Sequence, residues 1–335
     1  MPSRRKIGYS RRPVYRLQRN DLDDKTGVGI GEAGGSPPAV SLLADYFEPR
    51  HRATAMGVYA LGATLGILLG FGVGGWINQL YGWRAAFLCA GAPGLLLAAL
   101  IKFTLTEPRT VVAMKARDPD LPVLQTFRVL FALQVYRRIN VGAVAAGMTV
   151  YAFMVWTPQY LIRRFGLTSG EVGTTLGLIA GIAGSSGIFI SAYMADLLSR
   201  RNARWQLYVP AMTSLRVLPM IWLALSAPTK GIAIGWLIPA YALALGYTGP
   251  VWAVLQSAVP VNMRATAAAI LLFLVNLSGL GLGPQAVGII SDSLSSHAGV
   301  MGLRTAIASV CSVSVVASLY FFLTAGVLPR HGFEA

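Results

Sequence analysis

Uncharged apolar runs, separated by short clusters of charge, occupy the chain from residue 27 to residue 325. A helix needs about 20 predominantly apolar residues to cross a bilayer. The pattern predicts nine such spans, at 27–46, 54–78, 83–105, 141–162, 170–198, 205–226, 231–258, 265–290 and 301–325. The first is the weakest, because Gly and Pro crowd it and Glu32 sits inside it. One long polar connection, residues 107–138, interrupts the series. Pro108, Pro119 and Pro122 break helix there, and Arg109, Lys115, Arg117 and Arg128 add charge. Its last part, 123–138, reads as an amphipathic stretch lying along the membrane surface.

The chain also repeats itself. Arg52-Ala53-Thr54-Ala55 and Arg264-Ala265-Thr266-Ala267 stand 212 residues apart, and each opens an apolar run. Gly62, Gly66, Gly70, Gly74 and Gly75 punctuate the first run, and Gly279, Gly281, Gly283 and Gly288 the second. Small residues of this kind let helix backbones approach closely, which is the role expected of Gly66, Gly70 and Gly74. Each run leads to an Arg-led helix start, Trp83-Arg84-Ala85-Ala86 and Leu303-Arg304-Thr305-Ala306. A parallel repeat of long period in an apolar chain marks a protein built from two similar membrane halves. Four spans fit between the central connection and Arg264, but only 51 residues precede Arg52, so the first half reads as three helices short.

Composition narrows the class. Hydrophobic residues make up 55% of the chain and charged residues 12%, about half the charge of a soluble domain. The net charge of +15 would suit nucleic acid, but the basic residues lie mostly in loops and tail. That placement fits the orientation bias of membrane proteins, and no nucleic-acid partner is expected. With the 107–138 connection inside, the inner segments hold thirteen Arg and Lys against five outside, which predicts a cytoplasmic C-terminus. Nine spans then place the basic N-terminal tail outside, against the bias; eight spans, with 27–46 not inserted, place both ends inside. Residues 1–24 lack an apolar h-region, so no cleavable signal peptide is expected. The segment is instead expected to be a basic, disordered tail. Cys89 and Cys311 lie within apolar helices without metal-ligand spacing and are expected to be buried, unreactive thiols.

Two phrases carry a resemblance to a known family. Gly27-Val28-Gly29-Ile30-Gly31-Glu32-Ala33 and Ala44-Asp45-Tyr46-Phe47-Glu48-Pro49-Arg50-His51-Arg52 resemble the major facilitator superfamily, and more narrowly its Spinster-like branch. The branch carries G-x-G-x-G-E-A in its fourth helix and A-D-Y-F-x-P-x-x-R in the following loop. The Gly-rich run 62–75 is similar to the superfamily's fifth-helix motif, and Gly279 to Pro284 to its counterpart in the eleventh. The resemblance covers residues 25 to 326 and implies an all-α polytopic membrane protein. The fold would be a major facilitator-like helical bundle with about nine transmembrane helices and an incomplete first half. Residues 25–106 would be the partial first half (family helices four to six), 107–138 a cytoplasmic central loop, 139–328 the six-helix second half and 329–335 a cytoplasmic tail. Three departures stand. Lys25 replaces the family's Arg before the first Gly; the loop after the family's second helix and the first-helix carboxylate are absent. The second-half echo of that loop survives weakly as Ala192-x-x-x-Asp196, followed by Arg200 and Arg201.

Candidate residues follow. A carboxylate inside a span costs about 2.5 to 3.5 kcal/mol even on insertion scales, so Glu32 is expected to face a cavity and function. The resemblance makes it the proton-coupling acid, the alternative being a solvated residue near the outer end of a short span. Asp45, Arg52, Asp196, Arg200 and Arg264 sit at cytoplasmic helix ends. The resemblance implies a cytoplasmic gate, and solvated helix-end charges are the alternative. Tyr59, Tyr151, Gln159, Tyr247, Gln256 and Asn276 lie on helices that the family places around its substrate cavity; Trp156, Tyr160 and Trp252 share those helices. Tyr and Trp also populate membrane-interface belts. Arg216, midway along a span, reads as a structural residue.

Nothing points to an enzyme, a cofactor or a metal. His51, His297 and His331 are scattered in loops, and Gly27-x-Gly29 lacks the strand and the acidic residue of a dinucleotide site. The expected function is secondary active transport of a small organic solute, amphiphilic or anionic, by alternating access and coupled to protons. The lipid bilayer, the solute and protons are the partners. The expected location is the cell inner (plasma) membrane, as a multi-pass protein. The alternative is a non-transporting membrane fragment of a disrupted transporter gene.

Overall fold

The computed structural model describes residues 49–104, 123–260, 263–298 and 300–328. All regular structure among them is helical. By its contacts the chain divides into two compact units, Met1–Leu61 with Thr106–Ala116 and Gly62–Leu105 with Arg117–Ala335. Of the first unit, only the helical residues 49–61 are described. Apart from those residues, which open the helix Pro49–Tyr81, the described residues belong to the second unit.

Seven helices or helix pairs in this unit are long and apolar enough to cross a membrane. They are Trp83–Thr104, Gln134–Phe165, Ser169–Ser199, Trp205–Ser226, Lys230–Ala258, Thr266–Leu294 and Met301–Val327. They match the last seven predicted spans. The predicted span 54–78 falls within the 33-residue helix Pro49–Tyr81, and 27–46 lies outside the described residues. The largest difference is at 141–162, where the helix starts seven residues earlier, at Gln134. Two arginines cause it. Arg138 reaches the Leu323 carbonyl at 3.3 Å and Arg137 the Phe131 carbonyl at 3.3 Å. Their guanidiniums thus find polar partners while the backbone stays helical. The predicted surface stretch is correspondingly shorter, a separate helix Val123–Ala132.

Glycine shapes two of the spans. Ser169–Ser199 contains a π-helical turn at Ile179–Gly184, and Thr266–Leu294 one at Leu277–Leu282. Such turns insert an extra residue per turn and occur often at functional sites. The span Lys230–Ala258 is interrupted at Gly246 and Tyr247, between the helices Lys230–Leu245 and Thr248–Ala258.

The core is the interior of the six-helix assembly formed by residues 134–328. Gln134–Phe165 is its most buried span: Tyr136, Ile139, Ala143, Ala152, Phe153 and Leu161 are all closed off. Trp205–Ser226 packs against Lys230–Leu245 and Ser314–Val327, and the last of these also packs against Gln134–Phe165. Polar contacts pin these helix ends together. Tyr160 donates to the Leu225 carbonyl, Ser191 to the Gly246 carbonyl, and Arg204 Nε to the Leu328 carbonyl at 3.0 Å. Carbonyls at helix ends lack partners within their own helix, so each of these contacts satisfies a group the bilayer would leave bare.

Two sequence expectations need correction. Cys311 is buried, but Cys89 is exposed on Trp83–Thr104, a helix that buries none of its residues. Among the described residues, nothing lies within 4 Å of a methyl group placed at Gly62, Gly66, Gly70, Gly72 or Gly74. The close approach falls on Gly75 instead, whose added Cβ would stand 2.8 Å from the Ser169 carbonyl and 3.0 Å from the Gly173 Cα.

Candidate functional site

A cavity of ≈ 260 Å³ opens beside the broken spans, lined by residues of Gln134–Phe165, the 245–252 region, the first part of Thr266–Leu294 and Ile67 of Pro49–Tyr81. Tyr151, Tyr247, Thr248, Trp252 and Asn276 supply its polar atoms, and Met154, Val251 and Leu272 are among its apolar walls. Its described lining carries no charged side chain.

Two glycines build this geometry. A Cβ at Gly147 would stand 2.7 Å from Val275 Cγ1, and one at Gly279 would run into the Tyr151 ring and stand 3.2 Å from the Gly147 carbonyl. Only glycine lets the two helices cross this closely, and the crossing sets Tyr151 directly against Asn276. The Tyr151 hydroxyl donates to Asn276 Oδ1 at 3.4 Å, a long and therefore weak bond. Asn276 is the last residue before the π turn at Leu277–Leu282. Tyr247 sits at the break between Lys230–Leu245 and Thr248–Ala258, buried and stacked on Phe321 at 6.3 Å.

The structure brings Tyr151, Tyr247 and Asn276 of the predicted set together at this cavity, with Trp252. Gln159 is exposed and Gln256 half-buried, and neither is among the cavity's lining residues. Asp196 and Arg200 are exposed at the end of Ser185–Ser199. Arg264 is half-buried and donates from Nε to the Val259 carbonyl at 3.3 Å, within its own turn. Tyr59 and Arg52 fall in the helix Pro49–Tyr81. Glu32 and Asp45 lie outside the described residues.

The sequence separates neither all the lining residues nor all those that only pack. Trp156, which shares a helix with the predicted set, instead donates Nε1 to the Pro284 carbonyl at 2.8 Å, anchoring the helix that follows the π turn. Leu272, Met154 and Val251 look like any other span residue in sequence. Their role comes from the crossing of helices far apart in the chain.

Comparison with known proteins identifies the family and the fold. The profile of the Major Facilitator Superfamily matches residues 27–284. An MFS-type efflux pump of Mycolicibacterium smegmatis is 30% identical over 305 residues, covering 89% of this chain and 69% of the relative. A hexuronate transporter of Bacillus subtilis is 27% identical over 305 residues, covering 86% and 70%. Among solved structures, a bacterial homolog to the human lysosomal transporter Spinster, in an inward-facing and occupied conformation, superimposes with a TM-score of 0.75. It is 23% identical and is matched over 93% of this chain and 78% of its own.

Proposed function

The chain belongs to the Major Facilitator Superfamily, a family of membrane transporters, and on that basis we propose that it moves an amphiphilic organic solute by alternating access, coupled to protons through Glu32. The observation that carries the choice of solute is the aromatic cavity at Tyr151, Tyr247, Trp252 and Asn276, whose described lining is uncharged. Ring faces and aliphatic walls hold an apolar body, while hydroxyl and amide groups fix a polar end by hydrogen bonds. A strongly charged solute gains little there, because taking an ion out of water without a counter-charge is costly. The similarity to a hexuronate transporter supports the anionic reading, and the absence of charge among the described lining residues favours the amphiphile over it.

Rocking of two membrane halves about a midplane site needs no nucleotide. The weak Tyr151–Asn276 bond suits that role, since a bound solute can replace it at little cost. The gate is assigned to Asp45, Arg52, Asp196, Arg200 and Arg264, whose charges would latch and release the cytoplasmic ends. Location in the plasma membrane with a cytoplasmic C-terminus completes the proposal.

The test is flux in proteoliposomes under an imposed pH gradient, with uncharged and zwitterionic amphiphiles compared against hexuronates. Amphiphile accumulation that follows the gradient and needs no ATP is the expected result. Uptake of hexuronate alone would reverse the assignment of solute class.

A further inference from the structure

A second, separate region combines charge and apolar surface. At the end of the molecule where Gln134–Phe165 and Trp205–Ser226 finish and Met301–Val327 begins, a small pocket of ≈ 140 Å³ is lined by Tyr160, Arg164, Leu225, Ser226, Met301 and Arg304. Among the described residues, two guanidiniums line it and no carboxylate does. Arg304 is fixed in position: its Nη2 donates to Ser226 Oγ at 2.8 Å, and its guanidinium stands 4.7 Å from the centroid of the Trp222 ring. The Tyr160 hydroxyl already donates to the Leu225 carbonyl. The charged donors in the pocket are guanidinium N–H groups, of which each Arg has five.

Trp222 links this pocket to a groove. Between Trp205–Ser226 and Val300–Cys311 an open, largely apolar channel of ≈ 720 Å³ runs past Trp222, Leu218, Leu223, Ala308 and Ser309. Trp222 and Leu223 are 48% and 38% exposed on what is an outer face of the helix assembly, so the groove opens towards lipid.

We propose that the pocket and groove together bind one anionic glycerophospholipid, its phosphate on Arg164 and Arg304 and an acyl chain along the groove. Both arginines sit at span ends, which is headgroup depth. Trp222 lies one helical turn deeper, where tryptophan marks the boundary between headgroups and hydrocarbon. Basic pockets between spans recognise anionic headgroups, and two guanidiniums without a carboxylate leave positive charge for the lipid to neutralise. A zwitterionic lipid brings its own cation into that positive field, and a soluble anion leaves the groove unfilled. None of the residues named here lines the Tyr151–Asn276 cavity, so the site stands whether or not the transport reading does.

The experiment is native mass spectrometry of the full chain in mild detergent, with dioleoyl phosphatidylglycerol, dioleoyl phosphatidylcholine and inorganic phosphate as probes. Phosphatidylglycerol adducts are expected to exceed phosphatidylcholine adducts by about fivefold or more, and Arg164→Gln or Arg304→Gln to lower that ratio by about fivefold each. Arg304→Gln also removes the Ser226 contact, so Ser309→Trp, at an exposed position in the groove, provides an independent arm. It should cut phosphatidylglycerol occupancy severalfold while the protein stays monodisperse. Equal binding of the two lipids would overturn the proposal. So would full displacement of phosphatidylglycerol by millimolar phosphate together with unchanged binding in Ser309→Trp, which would assign the arginines to a soluble anion.

Discussion

Tyr151 and Asn276, 125 residues apart in the chain, meet across a glycine crossing with the tyrosine hydroxyl 3.4 Å from the amide oxygen. The bond is weak, and the amide is half free to meet a solute. Replacing Asn276 with Leu should therefore hardly change stability, by less than about 1 kcal/mol. It should raise the apparent KM for an amphiphile about 5- to 30-fold, the equivalent of one lost hydrogen bond to the solute. Thermal unfolding in detergent and concentration-dependent flux separate the two effects. A large loss of stability with unchanged KM would make Asn276 a packing residue.

Glycine substitutions should split into two kinds. At Gly173 an added methyl runs into the Phe71 carbonyl and stands 3.0 Å from Gly75 Cα, backbone that cannot swing aside. Gly173→Ala is expected to cost about 1–3 kcal/mol. At Gly235, inside Lys230–Leu245, nothing lies within 4 Å among the described residues, and alanine there should stabilise the helix by about 0.5–1 kcal/mol. Opposite shifts in melting temperature are the expected result. Similar shifts for both would mean that the Gly75–Gly173 contact is not held in the folded protein.

The spans were legible in sequence because lipid imposes a length and an apolar composition that soluble helices need not obey. Trp205–Ser226 matches the expected 205–226 residue for residue. Boundaries moved where arginines sit near a span end, as at Arg137 and Arg138, since their long stems let the helix continue while the charge leaves it. The π turns at 179–184 and 277–282 left no readable trace, because Gly-rich runs such as Leu277-Ser278-Gly279-Leu280-Gly281-Leu282 suit close packing and a widened turn equally well. The cavity was legible in part. Tyr151, Tyr247 and Asn276 stand out as polar groups in apolar spans, and Leu272 does not.

Membrane orientation is open to direct measurement. The thirteen-to-five distribution of basic residues favours an inside C-terminus. A fluorescent protein fused after Ala335 should fold and fluoresce, while alkaline phosphatase fused there should stay inactive. In fusions truncated near Thr229 the two reporters should exchange behaviour. Active phosphatase at the C-terminus would invert the topology.

The proposed proton coupling rests on Glu32. Glu32→Gln keeps the size of the side chain and removes its ability to take up and release a proton. It should abolish accumulation driven by a pH gradient and leave solute exchange across the membrane largely intact. Accumulation at the wild-type rate would remove Glu32 from the coupling step.

The central claim is that solute passes through the cavity between Tyr151, Tyr247 and Asn276. Leu272 lines that cavity and is 43% exposed, so Leu272→Trp adds bulk to the space without forcing it into the core. The decisive measurement is amphiphile flux by this variant in proteoliposomes, compared with wild type at equal amounts of inserted, monodisperse protein. Loss of at least about nine-tenths of the flux, with melting temperature unchanged, is the predicted result. Wild-type flux through the filled cavity would contradict the account.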